Sequence, residues 1–206
     1  MAILSAAILT DDKKIAKRLV KKFKHADYIQ FDIIDNKFVP GKTLWADDIA
    51  KLKVKQPIEL HLIINNPEKH LTSLLRCKPS RIIFHIESTK NPLAIIKRLR
   101  KENVDIGIAI NPETDIKKVI PYLIKADMIL VMTVHPSKQN QEFLYSMLAK
   151  IKTIRKLSSI DIGVDGGINT KTAKLAVKAG ATMLTSGGYL AKSKSPACLI
   201  RFFKKL

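Results

Sequence analysis

Residues 29–40 read Ile29-Gln30-Phe31-Asp32-Ile33-Ile34-Asp35-Asn36-Lys37-Phe38-Val39-Pro40. The carboxylate of Asp32 stands here among β-branched and apolar residues, which is typical of a buried strand that ends at a reactive site. The same arrangement recurs around His61 in residues 59–63 and around Asp165 in residues 161–167. Ionisable groups on apolar strands are costly to bury unless they are paired, bind a metal or take part in chemistry. Asp32, His61 and Asp165 are therefore the candidate functional residues.

Short apolar runs alternate with longer amphipathic stretches along the whole chain. The apolar runs are rich in Ile, Val and Leu and nearly continuous in hydrophobicity, which is typical of strands covered on both faces in a parallel sheet. Strands are predicted at residues 3–8, 28–33, 58–63, 81–86, 105–110, 127–132, 160–165 and 182–186.

The amphipathic stretches between these runs predict helices, with apolar residues on one face and lysines on the other. Start signals such as Asn66-Pro67 and Asn91-Pro92 precede some of them, and Gly180 is placed to end another. Helices are predicted at residues 12–24, 46–53, 66–76, 91–102, 114–125, 141–157, 170–179 and 195–206.

Strict alternation of strands and helices in these numbers predicts a single (β/α)₈ TIM barrel, as one domain over residues 1–206. The rival fold is a doubly wound sheet, which usually has fewer strands. A nucleotide-binding sheet of that kind would carry a glycine-rich first turn. The sequence contains neither GxGxxG nor the phosphate-binding loop GxxxxGK(S/T), so the barrel is favoured.

Composition and cysteine usage narrow the class of protein further. The chain has 206 residues, 46% of them hydrophobic, which is enough for one large domain with a full core. Cys77 and Cys198 are far apart and form no CxxC pair, so a reducing, cytoplasmic location is expected. The apolar N-terminus lacks a basic flank and is interrupted by Asp11 and Asp12, so neither a signal peptide nor a membrane span is expected.

The net charge is +19, with 37 Lys and Arg against 18 Asp and Glu. Such a surface can attract nucleic acid, anionic lipid or phosphorylated metabolites. The lysines recur at helical spacings, and aromatic residues make up only 6% of the chain, so solvated helix faces are the favoured interpretation. Steering of an anionic ligand stays open as an alternative, and nucleic acid is not the expected partner.

The candidate functional residues fall where a barrel places its active site. Asp32, His61 and Asp165 lie near the carboxyl ends of the second, third and seventh predicted strands, the ends that face the active site in this fold. Gln30 shares a face with Asp32, because residues two apart on a strand point to the same side. Two carboxylates, an imidazole and an amide oxygen could therefore converge on a divalent metal ion.

Paired glycines follow the seventh and eighth predicted strands. They are Gly166-Gly167 and, after Ser186, Gly187-Gly188, and they would let backbone N–H groups approach an anion. Barrels often hold a phosphate in the loops after strands 7 and 8. We therefore expect these residues to bind the phosphate of a ligand.

An ordered set of motifs resembles the ribulose-phosphate 3-epimerase family over nearly the whole chain. The set comprises Ser5, Phe31-Asp32-Ile33-Ile34-Asp35-Asn36-Lys37-Phe38-Val39-Pro40, Glu59-Leu60-His61-Leu62-Ile63, Phe84-His85-Ile86-Glu87, Ile108-Ala109-Ile110-Asn111-Pro112-Glu113-Thr114, Met132-Thr133-Val134-His135-Pro136, Val164-Asp165-Gly166-Gly167-Ile168 and Gly187. The resemblance implies an isomerase that interconverts ribulose 5-phosphate and xylulose 5-phosphate by proton transfer at C3.

The resemblance also implies residue roles and partners. Asp32 and Asp165 would be the acid/base pair, and both would bind a divalent ion, Zn, Fe, Mn or Co, together with His61. Ser5 and Met132 would lie near the substrate, which is a pentulose 5-phosphate. The family also implies a homo-oligomer.

Departures from the family pattern cluster at the site. Gln30 stands where the family has a metal-binding histidine, and Ile34 and Ile63 replace methionines that usually line the pocket. The glycine-rich loop after strand 6 is replaced by Pro136-Ser137-Lys138-Gln139-Asn140-Gln141, in which Lys138 could act as a point charge for the substrate. The alternative hypothesis is therefore a barrel that binds phosphosugars without turnover, or with altered specificity.

Other polar residues near the strand ends have structural interpretations. His85 and Glu87 are expected in the pocket wall or behind the ligands, and Asp35 is expected to orient the loop after the second strand. Trp45 is expected to pack against the second helix. His135 could touch the substrate or lie in solvent.

Overall fold

The fold is a closed barrel of eight parallel strands, which confirms the predicted (β/α)₈ architecture. The computed structural model describes residues 1–136 and 141–206. Neighbouring strands pair in sequence order, and the first strand closes the barrel against the last. The strands are β1 Ile3–Ile8, β2 Tyr28–Ile34, β3 Ile58–Ile63, β4 Arg81–His85, β5 Asp105–Ile110, β6 Met128–Met132, β7 Asp161–Asp165 and β8 Met183–Ser186.

Helices and 3₁₀ turns connect the strands. Asp12, Asn91 and Asn169 begin three of the helices, where their side chains accept hydrogen bonds from backbone N–H groups of the first turn. The α-helices are α1 Lys13–Lys22, α2 Ala46–Ile49, α3 Leu71–Leu74, α4 Pro92–Lys101, α5 Met147–Leu157, α6 Thr170–Ala179, α7 Gly188–Lys192 and α8 Pro196–Lys204. None of those in the described ranges is long and apolar enough to cross a membrane.

Some helices differ from their predictions. Residues 114–125 form 3₁₀ turns at Ile116–Lys118 and Ile120–Tyr122 instead of an α-helix. Pro121 accounts for this, because proline lacks an N–H and its ring clashes with the preceding turn of an α-helix. The stretches 46–53 and 66–76 are likewise short α-helices continued by 3₁₀ turns, and the helix predicted over 141–157 begins only at Met147. Helix α7 has no counterpart among the predicted helices.

Apolar residues form an outer and an inner layer around the strands. The outer layer lies between strands and helices, and it fully buries large side chains such as Phe31 and Phe84. The inner layer fills the barrel with Ile83, Ala109, Met128, Leu130, Met132 and Met183. Because side chains alternate along a strand, Phe31 packs outward while Gln30 and Asp32 point into the barrel. The pairing of β2 with β3 then sets Asp32 beside His61.

Candidate active site at the carboxyl ends of the strands

Three of the predicted site residues meet at the mouth of the barrel. Asp32 on β2, His61 on β3 and Asp165 on β7 each offer one potential ligand atom, and these atoms all lie within 4.8 Å of one another. Nδ1 of His61 is 3.2 Å from Oδ1 of Asp32 and 3.5 Å from Oδ2 of Asp165. All three residues line a cavity of about 510 Å³. The convergence expected from the strand ends is therefore present.

Burial makes the two carboxyls weaker acids than usual. It raises the pKa of Asp32 to about 7, a rise that the hydrogen bond from Gln30 opposes. Burial likewise raises the pKa of Asp165 to about 7, and the nearby Asp32 carboxylate adds to this rise. Desolvation favours the neutral form of an acid, and so does a like charge close by. Near neutral pH, the pair can therefore hold one proton-accepting and one proton-donating carboxyl.

Gln30 presents a donor to the site, and not the amide oxygen expected of a metal ligand. Its Nε2 donates to Oδ1 of Asp32 at 2.7 Å and to Oδ2 of Asp165 at 2.9 Å. Its Oε1 accepts a hydrogen bond from the hydroxyl of Thr185 at 3.1 Å. This orientation follows from chemistry, because ionised carboxylates only accept hydrogen bonds whereas a hydroxyl can donate. The amide of Gln30 therefore bridges the carboxylates of Asp32 and Asp165 by hydrogen bonds.

The Asp32, His61 and Asp165 side chains suit a divalent ion. Protein ligands lie about 2.0–2.2 Å from such an ion, so neighbouring ligand atoms are roughly 3–3.6 Å apart. The distances of 3.2 Å and 3.5 Å from Nδ1 of His61 to the two carboxylate oxygens match this spacing. Burial also lowers the pKa of His61, against the opposing charge of Asp165, which keeps the imidazole in the neutral form that binds metals. The residues present therefore fit the ion with three protein ligands.

Comparison with known proteins assigns the family. The model of the ribulose-phosphate 3-epimerase family matches residues 2–191. The chain belongs to this family. A ribulose-phosphate 3-epimerase of Schizosaccharomyces pombe is 29% identical over 201 residues, which cover 94% of this chain and 88% of the relative. The cytoplasmic isoform of ribulose-phosphate 3-epimerase from Oryza sativa subsp. japonica is 32% identical over 188 residues, which cover 87% of this chain and 82% of the relative.

Solved structures show the same fold. The crystal structure of KGPDC from Streptococcus mutans aligns with a TM-score of 0.77 at 13% identity, and it covers 100% of this chain and 96% of that one. The crystal structure of 3-hexulose-6-phosphate synthase from Salmonella typhimurium aligns with a TM-score of 0.74 at 15% identity, and it covers 100% of this chain and 97% of that one. At this level of identity the likeness shows the barrel fold alone.

The paired glycines of the epimerase-family chain line the same cavity. Gly166, Gly167, Gly187 and Gly188 all do so. Gly166 has φ +119° and Gly167 has φ +62°, and a Cβ at Gly167 would lie 2.6 Å from the backbone nitrogen of Phe143. Only glycine fits such a backbone, since other residues rarely adopt positive φ and a side chain would collide here.

Not every expected site residue faces this cavity. Met132 lines it, and so do Ile34 and Ile63, the two positions where the family has methionines. Ser5 is buried and donates its hydroxyl to Oε1 of Glu59 at 2.8 Å, and it is not among the described residues that line the cavity.

Ser186 is also absent from the described lining residues, and its hydroxyl donates to the carbonyl of Ile168 at 3.1 Å. Lys138, proposed as a point charge, falls outside the described residues. Lys192, at the end of α7, is the single lysine or arginine among the described residues that line the cavity. Lys192 was not among the predicted site residues, because the sequence pattern did not predict α7.

The polar residues around the mouth occupy supporting positions. Asp35 accepts hydrogen bonds from the N–H groups of Lys37, Phe38 and Asn65, which confirms its role in orienting the loop after β2. Trp45 directly precedes α2, packs against the core and meets the ring of His70 edge-on at 5.5 Å.

His135 lines the cavity at its rim and pairs with Glu113 at 2.8 Å. His85 is fully buried behind His61, so it lies behind the ligands as expected.

Proposed function

We propose that this chain interconverts ribulose 5-phosphate and xylulose 5-phosphate, with Asp32 and Asp165 as the acid/base pair at C3. The observation that carries the proposal is the pair of buried carboxyls on β2 and β7, whose oxygens converge with His61 within 4.8 Å of one another and which, without a metal, each have a pKa raised to about 7. Inversion at a carbon needs a proton acceptor on one face and a proton donor on the other. Catalytic groups with pKa values near the working pH serve both roles well.

The proton transfers can be written on the residues of the chain. One aspartate in its ionised form removes the proton from C3 and becomes neutral. The other, which began neutral, delivers its proton to the opposite face of C3 and becomes ionised. The amide of Gln30 touches both carboxylates and can stabilise whichever one carries the charge. The reverse reaction exchanges the two roles, so both epimers are accepted as substrates.

Asp32, His61 and Asp165 would hold the divalent ion that the family implies, whether zinc, iron, manganese or cobalt. When bound, the ion stabilises the negative charge that develops on the substrate oxygens during proton removal. Gln30 would support the two carboxylate ligands by hydrogen bonding in place of a fourth ligand. An amide donor in that position leaves one more site on the ion open and should weaken its binding relative to a histidine.

The glycine-lined part of the cavity suits the phosphate of the substrate. The glycines at 166, 167, 187 and 188 line it and would let backbone N–H groups approach an anion, and Lys192 adds a positive charge. In Lys192→Gln we expect a several-fold higher KM for the phosphorylated sugar and an unchanged kcat. Lys178→Gln, on α6 and absent from the described lining residues, is the control.

We further propose a homo-oligomer in the cytoplasm. The family resemblance supports oligomerisation, and two free cysteines together with the name of the rice relative support the compartment. Multi-angle light scattering on the purified chain measures the oligomeric state, and a monomer at micromolar concentration would contradict the first part.

The central experiment follows exchange at C3. The chain is incubated with ribulose 5-phosphate in deuterium oxide with added Zn²⁺, Mn²⁺, Fe²⁺ or Co²⁺, and proton NMR records the C3 signal and the formation of xylulose 5-phosphate. We expect deuterium at C3 in both epimers with at least one metal. Gln30→His is assayed alongside, because it restores the family's ligand.

The possible outcomes separate the hypotheses. Exchange by the wild type supports the epimerase. Exchange by Gln30→His alone would identify an epimerase crippled by Gln30. No exchange by either protein with any metal would contradict the proposal and leave a barrel that binds phosphosugars without turnover.

A further inference from the structure

We propose that Glu87 and His85 are positioning residues that fix the tautomer of His61, so that its Nδ1 presents a lone pair to the point between Asp32 and Asp165. The inference rests on the proposed metal-assisted function. It assigns a role to two motifs that the proposed function leaves unexplained. These motifs are residues 84–87 and 111–114.

The contact between the two imidazoles constrains their hydrogens. Nε2 of His61 lies 2.9 Å from Nε2 of His85, and the two ring planes are inclined by 20° with centroids 5.0 Å apart. Both residues are fully buried. Two ring nitrogens at this distance share a single hydrogen, since two hydrogens would collide and none would leave two lone pairs opposed. The tautomer of one ring therefore dictates the tautomer of the other.

Only one arrangement of these hydrogens leaves Nδ1 of His61 able to bind an ion. His61 must carry its hydrogen on Nε2 and donate it to His85. His85 must then carry its own hydrogen on Nδ1. A ligating histidine generally donates its other N–H to such a partner, which sets its ring orientation and basicity.

Glu87 supplies the group that favours this arrangement. Its Oε2 is 3.5 Å from Nδ1 of His85, an ion-pair separation. Both atoms are buried and lack a partner at hydrogen-bond geometry among the described residues, as does Oδ1 of Asn111, whose side chain also interacts with His85. Because a carboxylate only accepts, it favours the hydrogen on Nδ1 of His85. Glu87 thus favours the chain that runs from Glu87 to His61, against the opposite preference of the Asp32 carboxylate, whose Oδ1 is 3.2 Å from Nδ1 of His61.

The other oxygen of Glu87 is held by the loop after β5. Oε1 accepts hydrogen bonds from the backbone N–H of Asn111 at 2.9 Å and from the hydroxyl of Thr114. Lys150 of α5 fixes that loop, since its Nζ donates to the carbonyls of Asn111, Pro112 and Thr114 at 3.1, 2.9 and 2.7 Å. Oε1 is thus committed to two donors, and only Oε2 is available to His85.

This commitment makes Glu87→Gln a sharp test. The oxygen of a glutamine would keep the bonds from Asn111 and Thr114, which turns its NH₂ toward His85. A donor at that position requires a bare Nδ1 on His85, hence a hydrogen on its Nε2. His61 must then accept at Nε2 and carry its hydrogen on Nδ1, where it can no longer bind an ion. The substitution therefore reverses the tautomers without changing the shape of the side chain.

The experiment measures Zn²⁺ affinity by competition with a chelator, for the wild type, Glu87→Gln and Glu113→Gln. We expect Glu87→Gln to lose affinity by about 10- to 100-fold. Glu113 is exposed and pairs with His135, so Glu113→Gln controls for the loss of one carboxylate and should bind like the wild type. The ¹⁵N shifts of the histidine rings in the metal-free wild type give a second readout, which needs no variant. They should show hydrogens on Nε2 of His61 and Nδ1 of His85.

The outcomes distinguish this inference from the proposed function. Equal affinity in Glu87→Gln and wild type would overturn the positioning role and leave the metal site standing, as would the opposite tautomers in the metal-free protein. A wild type that binds no Zn²⁺ would overturn the metal site and the positioning role together. If Glu87→Gln fails to fold, the ring-nitrogen shifts of the wild type still decide.

Discussion

Two groups of buried polar residues lie inside the same barrel, and strand β3 contributes to both through Glu59 and His61. In the first, the Glu59 cluster, Oε2 of Glu59 accepts from Arg81 at 2.9 Å and its Oε1 accepts from Ser5 at 2.8 Å. The guanidinium also lies over the ring of Tyr28 at 4.6 Å. The second, the Asp32 cluster, consists of Gln30, Asp32, His61 and Asp165.

The charges in the two clusters are balanced differently. In the Glu59 cluster one carboxylate meets one guanidinium, so both charges are compensated where they lie. In the Asp32 cluster two carboxyls share a neutral amide and an imidazole whose pKa is lowered by burial. A buried charge that is paired with its opposite has a structural role. Two buried carboxylates without a counter-charge are instead expected to bind a cation, a proton or a substrate. This difference separates the candidate site from the structural interior.

Replacing one carboxylate of the Asp32 cluster should have the largest effect. In Asp165→Asn we expect C3 exchange to fall about 10²- to 10⁴-fold, because one of the two proton-transfer groups is lost. Asp161→Asn is the control on the same strand, since Asp161 lies at the other end of β7 and accepts from the hydroxyl of Thr182. Comparable losses of exchange in both variants, measured by proton NMR, would mean that the effect is structural.

Breaking the Glu59 cluster should damage stability and not chemistry. In Arg81→Met we expect the free energy of unfolding to fall by about 3–5 kcal/mol, because the carboxylate of Glu59 is left buried without its partner. The measurement is urea denaturation. Arg98→Met removes an exposed pair with Glu102 and should cost at most about 0.5 kcal/mol. A similarly small loss in Arg81→Met would show that the Glu59 cluster does not need its charge balance.

The sequence could predict the barrel and the acidic part of the site, because both depend on patterns local to each strand. Continuous apolar runs identified the strands, and an ionisable residue near the end of such a run marked Asp32, His61 and Asp165. The three then had to meet, since the ends of parallel strands share one edge of the barrel.

What could not be predicted depends on partners far along the chain. The amide of Gln30 is oriented by Asp165 and Thr185, which lie 135 and 155 residues away. Ser5 likewise bonds to Glu59, 54 residues away, and nothing in the first strand indicates whether its hydroxyl serves the substrate or the interior. Secondary-structure propensity and hydrophobic periodicity describe short stretches of sequence, so they do not predict these long-range contacts.

The pH dependence of stability should expose the uncompensated carboxyls of the Asp32 cluster in the metal-free protein. Asp165 has a pKa raised from 3.8 to about 7, so its contribution to stability is fully present below pH 4 and is lost as the pH rises through 7. Asparagine does not ionise. With a chelator present, Asp165→Asn should match the wild type near pH 4 and exceed its unfolding free energy by about 2–4 kcal/mol at pH 8.

The test is a set of urea denaturation curves from pH 4 to pH 8 for both proteins. Subtracting the two series removes the titration of the groups that do not interact with Asp165. A difference that does not vary with pH would contradict the raised pKa. Saturating Zn²⁺ should reverse the sign at pH 8, because the ion stabilises the ionised carboxylate.

The smallest expected effect decides to which cluster Ser5 belongs. The family resemblance assigns it to the substrate, whereas its hydroxyl bonds to the buried carboxylate of Glu59 at 2.8 Å. In Ser5→Ala we expect the unfolding free energy to fall by about 1–3 kcal/mol, the range for a hydrogen bond to a charged group. The KM for ribulose 5-phosphate should stay within about twofold of the wild type, well under the tenfold that about 1.4 kcal/mol of binding would give. A raised KM with unchanged stability would instead place Ser5 at the substrate, and the boundary between the two clusters would then move toward β1.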